Sequence, residues 1–255
     1  MKATDLVFRD RTYIERSGKR VRGYLGGELV VDSTRAKLVW EHPSYPAYYF
    51  PTDDVRTELL VPSSTVTHSE RRGDAVHFTV KAGGKESADG AWRYETSPMG
   101  ELRDLVRFDW NALDTWFEED EEVFTHPRDP YTRIDILPTS RHVRVEIDGV
   151  TFADSTHARI LFETGLPPRW YVPKVDVRLD LLRPTDTATS CPYKGQAQYW
   201  SASVDGQIHQ DVAWSYRTPL PESERIAGLI CFYNERVDLY VEGERQDRPV
   251  TKFSN

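Results

Sequence analysis

The chain has 255 residues, 38% hydrophobic and 12% aromatic, with a formal net charge of -8. This excludes a disordered polypeptide, which is poor in aromatics, and suffices for one large or two ordinary domains with cores of their own. The negative charge, with no basic stripe beyond the short spots at Arg9–Arg11 and Arg71–Arg72, sets nucleic acid and anionic membrane surfaces aside as partners.

The N-terminus, Met1 to Asp10, is broken by charges too early for a signal-peptide core. No apolar run approaches the roughly 20 residues that span a bilayer. A cytoplasmic location is therefore expected, with Cys191 and Cys231 as reduced thiols.

The chain repeats itself at an offset of 122 residues. Asp32-Ser33-Thr34 falls on Asp154-Ser155-Thr156, Asp54-Val55-Arg56 on Asp176-Val177-Arg178, and Ala91-Trp92 on Ala213-Trp214. From Val21 to Tyr94, 26 of 74 aligned pairs are identical without a gap, so the two copies share a fold and its loop lengths. Residues 1–18 read as an N-terminal arm and residues 19–117 as the first repeat domain. Within it, Gly26-Gly27 and Gly83-Gly84 are turn-competent, and Pro98–Leu105 and Asn111–Glu118 are the short helix candidates.

Residues 118–140 read as an acidic, proline-containing linker. Its run Glu118-Glu119-Asp120-Glu121-Glu122 suits a solvated face better than a metal site. The second repeat domain runs over residues 141–244. Val143–Ile147, Val177–Leu181 and Val237–Val241 alternate apolar and polar residues, the signature of half-buried strands. Asp148-Gly149 and Asp205-Gly206 stand where type I′ hairpin turns need two residues at positive φ. Pro219–Arg225 is a further short helix candidate, and residues 245–255 form a polar tail. The expected class is mostly β: two tandem compact antiparallel sandwich or barrel-like domains of about seven to nine short strands each, packed on one another, with little helix.

The second copy contains Tyr171-Val172-Pro173, then Asp176 to Leu182, Cys191-Pro192-Tyr193-Lys194-Gly195, Asp211 to Tyr216, and Phe232-Tyr233. These motifs resemble the bacterial and fungal family called domain of unknown function 427. The chain as a whole, over about residues 20–245, is similar to the tandem form of that family found in actinobacteria. The resemblance implies a compact β-rich domain and no assigned activity. The first copy departs from it at Ser69-Glu70-Arg71-Arg72-Gly73, which replaces the Cys-Pro-Tyr-Lys-Gly segment.

That segment is the candidate site. A thiol beside an ammonium is favoured as the nucleophilic thiolate, and Lys194 also suits a carboxylate or phosphate as a point charge. Cys191 and Asp211 are the candidates for chemistry. Lys194, Tyr193, Glu163, Trp214, Tyr216 and Trp200 are the candidates for ligand binding. Each has a structural alternative. Cys191 serves as a small buried hydrophobe, and Asp211 bonds its own turn. Trp214 and Tyr216 share one strand face as core. Glu163 and Glu41 pair with Arg178 and Arg56.

No C-x-x-C, H-E-x-x-H, phosphate-loop or G-x-S-x-G pattern occurs, so neither a metal nor a cofactor is expected. The expected ligand is a small polar metabolite bearing a carboxylate or carbonyl, held in the second repeat. The alternative is an inert scaffold or protein-interaction module built as an internal pseudo-dimer.

Overall fold

The computed structural model describes residues 12–42, 45–251 and 253–254. The sequence readings on Met1–Asp10 and the Arg9–Arg11 spot lie outside the described residues. Two compact units divide the chain between Asp129 and Pro130.

In the first unit the strands are β1 (Tyr13–Arg16), β2 (Val21–Leu25), β3 (Glu28–Ser33), β4 (Lys37–His42), β5 (Tyr45–Pro51), β6 (Leu60–Ser69), β7 (Gly73–Ala82), β8 (Lys85–Arg93), β9 (Leu105–Phe108), β10 (Thr115–Glu118) and β11 (Glu121–Val123). The second has β12 (Ile134–Pro138), β13 (Val143–Ile147), β14 (Val150–Ser155), β15 (Arg159–Glu163), β16 (Arg169–Val172), β17 (Leu182–Cys191), β18 (Gly195–Val204), β19 (Gln207–Tyr216), β20 (Ile230–Phe232), β21 (Asp238–Val241) and β22 (Glu244–Arg245). Each unit is an antiparallel sandwich of one seven-stranded and one four-stranded sheet. The orders are β1-β4-β5-β9-β8-β7-β6 with β11-β10-β2-β3, and β12-β15-β16-β20-β19-β18-β17 with β14-β13-β21-β22.

Among the described residues the eleven strands per unit exceed the expected seven to nine, and those of the β6–β8 and β17–β19 meanders are long, at nine or ten residues. Strands also occur where the sequence suggested an arm and a linker. β1 pairs with β4, β11 with β10, and β12 with β15.

The four turn pairs adopt positive φ at both residues, among them Asp148 at 49° with Gly149 at 78° and Asp205 at 47° with Gly206 at 82°. This is the backbone that a two-residue turn needs to match strand twist. Helix is confined to short 3-10 segments among the described residues. Of the expected helices, Pro98–Leu105 keeps one turn at Gly100–Leu102, Pro219–Arg225 becomes a 3-10 segment at Pro221–Ile226, and Asn111–Glu118 divides between a 3-10 turn at Trp110–Ala112 and β10. Val177–Leu181, read as a strand, is an isolated bridge followed by a 3-10 turn at Leu179–Leu181, because Val177 pairs with Ala153 alone.

Period-two alternation explains the layers. In the second unit Ile160, Trp170, Val172, Ile230 and Phe232 point between the sheets, into a core closed by Val143, Val145, Leu239 and Val241. Their neighbours Leu161, Tyr171 and Cys231 point to the outer face of the long sheet, where Tyr199, Trp214, Tyr216, Ile226 and Tyr233 join them. The outer face is therefore also buried, and it mixes aliphatic side chains such as Leu161 and Ile226 with four tyrosines, a tryptophan and a thiol. The first unit repeats this layering, with Tyr49, Tyr94, Val39 and Leu105 outside. Among the described residues no helix is long and apolar enough to cross a membrane.

Candidate functional site

Lys194 belongs to the turn between β17 and β18, and Glu163 ends β15. In the sheet order β15 and β18 stand four positions apart, which is roughly 19 Å in a flat sheet at about 4.8 Å per strand. Yet Lys194 Nζ donates to Glu163 Oε2 at 2.6 Å. The long sheet must therefore curl over its outer face. The register shifts along the β17–β18 and β18–β19 pairs provide the bends. The Pro221–Ile226 segment lies against the curled tip: the Leu220 N–H donates to the Lys194 carbonyl at 3.2 Å, and Ser223 Oγ to the Tyr193 carbonyl at 3.1 Å.

Both side chains of the Lys194–Glu163 pair are 10% exposed. Burial alone would lower the lysine pKa. Glu163 outweighs it, helped by Cys191, and holds the ammonium above its ordinary range. Cys191 is half-buried and close enough to Lys194 to favour its charged form. Around them lie phenols pushed to high pKa. Burial drives Tyr216 up, with Cys191, Tyr199 and Glu163 adding to it. Tyr171 is fully enclosed and accepts from Trp214 Nε1 at 3.2 Å. Tyr199 Oη pairs with Thr189 Oγ1 at 2.8 Å.

The structure thus gathers Cys191, Lys194, Glu163 and Tyr216, with Tyr193 in the same turn and Trp214 linked through Tyr171. It leaves two sequence candidates elsewhere. Trp200 packs against the core between the sheets, because it is adjacent to Tyr199 and so faces the other way. Asp211 stands beside Ser201, six positions beyond Gly195 on β18 and so roughly 20 Å along the strand. Its carboxylate accepts from Thr185 at 2.7 Å and Thr187 at 2.8 Å. Burial would raise its pKa, but these hydroxyls hold it below the usual carboxylate range. Asp211 does not bond its own turn. It sits at φ 49° in a bulge and fastens β19 to β17, as Asp89 at φ 53° fastens β8 to Thr65. The expected pairing of Glu163 and Glu41 with Arg178 and Arg56 also fails. Arg178 bonds Asp180, Arg56 bonds Glu28 and Glu58, and both glutamates turn to the outer face.

Residues 13–119 and 135–243 each match the family described as a domain of unknown function, DUF427. The chain belongs to this family. No curated protein matches it. Its two regions correspond to the two sandwiches, so the first DUF427 repeat can be compared with the second position by position.

The first repeat keeps most of the cluster unchanged: Glu41, Tyr49, Trp92 and Tyr94 stand at the places of Glu163, Tyr171, Trp214 and Tyr216, while Arg72 replaces Lys194. Glu41 accepts from Tyr49 Oη at 2.5 Å and from Arg107 Nε at 2.8 Å, with Arg72 Nε at 3.2 Å. Arg107 pairs with Tyr49 and Trp92 as Cys231 does with Tyr171 and Trp214, so it occupies the Cys231 position. His77 stands where Tyr199 stands, 2.8 Å from Thr67.

Sequence reasoning passed over a second buried pair. Arg169 donates two hydrogen bonds to Glu235, at 2.6 and 2.7 Å, with side-chain exposures of 6% and 0%. Thr251 Oγ1 donates to the same carboxylate at 2.6 Å. The available signal was an arginine preceding Trp170-Tyr171-Val172 where the first repeat has Ala47. Among the described residues no group of three or more His, Cys, Asp or Glu side chains is arranged to hold a metal ion.

Proposed function

We propose that the second DUF427 repeat binds a small molecule bearing a carboxylate or carbonyl at the tip formed by Lys194, Cys191, Tyr193 and Glu163. One observation carries this reading. An ammonium has three donors, and that of Lys194 uses one on Glu163, lies within the electrostatic reach of Cys191, and has no further hydrogen-bond partner among the described residues. A buried donor left unmatched is costly, and an acceptor oxygen arriving past the half-buried thiol would satisfy it.

The repetition of an acid, a cation, two tyrosines and a tryptophan at equivalent places supports the same reading. A buried ion pair is replaceable by apolar residues at little cost, so stability alone gives no reason to keep it twice. The reading stops at binding: Glu163 is engaged by Lys194, and Asp211 by two threonines far from the thiol.

The experiment is a thermal-shift screen of the full chain against small carboxylates, aldehydes and ketones. A ligand at about 100 times its Kd adds roughly 2.7 kcal/mol of stability. The comparison protein is the Glu163→Leu/Lys194→Met double variant, which removes the donors while keeping the volume. A hit lost in the double variant and retained in Trp200→Phe supports the reading. Hits that the double variant leaves unchanged, or a folded protein with no hit, overturn it and favour an interaction module.

A further inference from the structure

The outer faces of the two repeats carry the same cluster with a different charge. In the second repeat Lys194 pairs with Glu163 and Arg169 with Glu235, each cation with an acid of its own. In the first, Arg72 and Arg107 share the single carboxylate of Glu41, at 3.2 and 2.8 Å. The second repeat has the neutral, buried thiol of Cys231 at the Arg107 position. Asn111 follows Arg107 at the spacing at which Glu235 follows Cys231, so the second acid is gone while a second cation stays. One positive charge is left over among side chains only 15% to 19% exposed. Charges that far from water are weakly screened, and an anion from outside the chain would balance this one.

The donors for it are in place and unused. Arg72 Nε lies 3.2 Å from the Tyr94 hydroxyl and 3.2 Å from Glu41, and its two terminal nitrogens have no partner among the described residues. Arg107 gives Nε to Glu41 and Nη1 to the Phe108 carbonyl at 3.2 Å, and its Nη2 has no partner among them. None of these terminal nitrogens is sealed from solvent. Aromatic faces hold both guanidiniums in place, Arg107 at 4.2 Å from the Trp92 ring centre and Arg72 at 5.7 Å from that of Tyr94. The arrangement carries a cost that the second repeat avoids. Trp214 Nε1 reaches the Tyr171 hydroxyl, but the Tyr49 hydroxyl is drawn to Glu41 and Trp92 Nε1 is buried without an acceptor. Stability therefore does not account for the second arginine.

We infer that the first repeat binds a phosphoryl group between Arg72 and Arg107 on this outer face. Guanidinium forks match the oxygens of phosphate and carboxylate alike. The supply of donors decides between them. Both terminal nitrogens of Arg72 and Nη2 of Arg107 together offer about six N–H groups, more than the roughly four acceptor sites of a carboxylate and suited to the three oxygens of a phosphoryl group. The site is separate from the Lys194 tip and takes a different anion.

The test is calorimetric titration of the full chain with inorganic phosphate, glycerol phosphate and acetate, repeated in the Glu163→Leu/Lys194→Met variant, which lacks the Lys194 tip. Both phosphates are expected to bind that variant as they bind the unaltered chain, with acetate at least tenfold weaker in the variant. Tighter binding of glycerol phosphate assigns the phosphoryl group to an ester, and equal or weaker binding assigns it to the free ion. Arg107→Cys installs the residue of the second repeat, removes the surplus charge, and is expected to weaken phosphate at least tenfold with the melting temperature preserved. Should that variant fail to fold, Arg72→Lys decides. It also installs the residue of the second repeat, keeps the charge but loses the fork, and is expected to weaken phosphate about fivefold. No binding of either phosphate at millimolar concentration, phosphate binding lost in Glu163→Leu/Lys194→Met, acetate binding that variant as tightly as phosphate, or binding unmoved by Arg107→Cys and Arg72→Lys overturns the inference.

Discussion

Removing Glu235 from its buried pair should unfold the second repeat at a markedly lower temperature. The Glu235 side chain is 0% exposed and that of Arg169 is 6% exposed, joined by two bonds. Truncation to Ala strands the guanidinium beneath the surface and frees the Thr251 hydroxyl. Breaking one partner of such a pair costs about 3–5 kcal/mol. Unfolding entropy of about 2.1 cal/mol/K per residue gives roughly 0.26 kcal/mol per degree for residues 130–255, hence a Tm drop of about 11–19 °C. Differential scanning calorimetry measures it directly. The Arg169→Met/Glu235→Leu double variant should recover most of the loss, because both charges leave together.

The pair also sets an acid limit. Burial alone would raise the Glu235 pKa, but Arg169 and Thr251 hold it below its ordinary value. Its stabilisation is therefore complete above the unfolded value of about 4.3 and is lost as pH falls through the lower folded value. The double variant should lack that component. A Glu235→Ala drop of less than about 3 °C, or a double variant no better than the single one, would refute the reasoning.

Other outcomes follow from the same geometry. Ellman's reagent should label one thiol in the native chain: Cys191 is half-buried, whereas Cys231 is fully buried and its thiol is pushed up by desolvation. Cys191→Ser should abolish native labelling, and two labels per native chain would contradict the burial of Cys231. Asp211→Ala should cost about 2–4 kcal/mol in denaturant unfolding, since it loses two hydroxyl partners and a residue tolerant of φ 49°. Asp211→Asn should cost clearly less, and equal losses would show that the backbone conformation is not part of the effect. Gly26→Ala should destabilise more than Gly27→Ala. A Cβ at Gly26 would meet the Gly83 carbonyl oxygen at 2.5 Å, while one at Gly27 meets nothing within 4 Å. Similar melting temperatures for the two variants would count against the close approach of the two turns.

The layering was legible in the sequence because alternation and Asp-Gly or Gly-Gly pairs are local signals, and the ungapped repeat carried the architecture from one copy to the other. The strand count was not, since β1, β11 and β12 are short edge strands whose pairing is decided by neighbours far along the chain. Cys191, Lys194, Tyr193 and Tyr216 were singled out as candidates by residue type and spacing, and the structure gathers them at one tip. The Glu163–Lys194 bond was not foreseen, because it spans four strand positions and exists only once the bulged sheet curls. Asp211 misled for a related reason. An aspartate before Ala-Trp reads as a turn or an acid, and only the left-handed φ and the threonines of β17 reveal a clamp between strands. Arg169 and Glu235 are 66 residues apart, so no local pattern joins them.

The most direct test of the proposed function observes the Lys194 ammonium itself. Protein labelled with 15N-lysine should show a slowly exchanging Nζ resonance for this buried, paired group, absent from the Glu163→Leu/Lys194→Met variant. Titration with acetate, lactate, pyruvate and acetone reads its unmatched donors. A saturable shift of that resonance alone among the lysines by at least one probe is the predicted result. A Lys194 resonance unmoved by every carboxylate and carbonyl at millimolar concentration would contradict the assignment of this tip as a binding site.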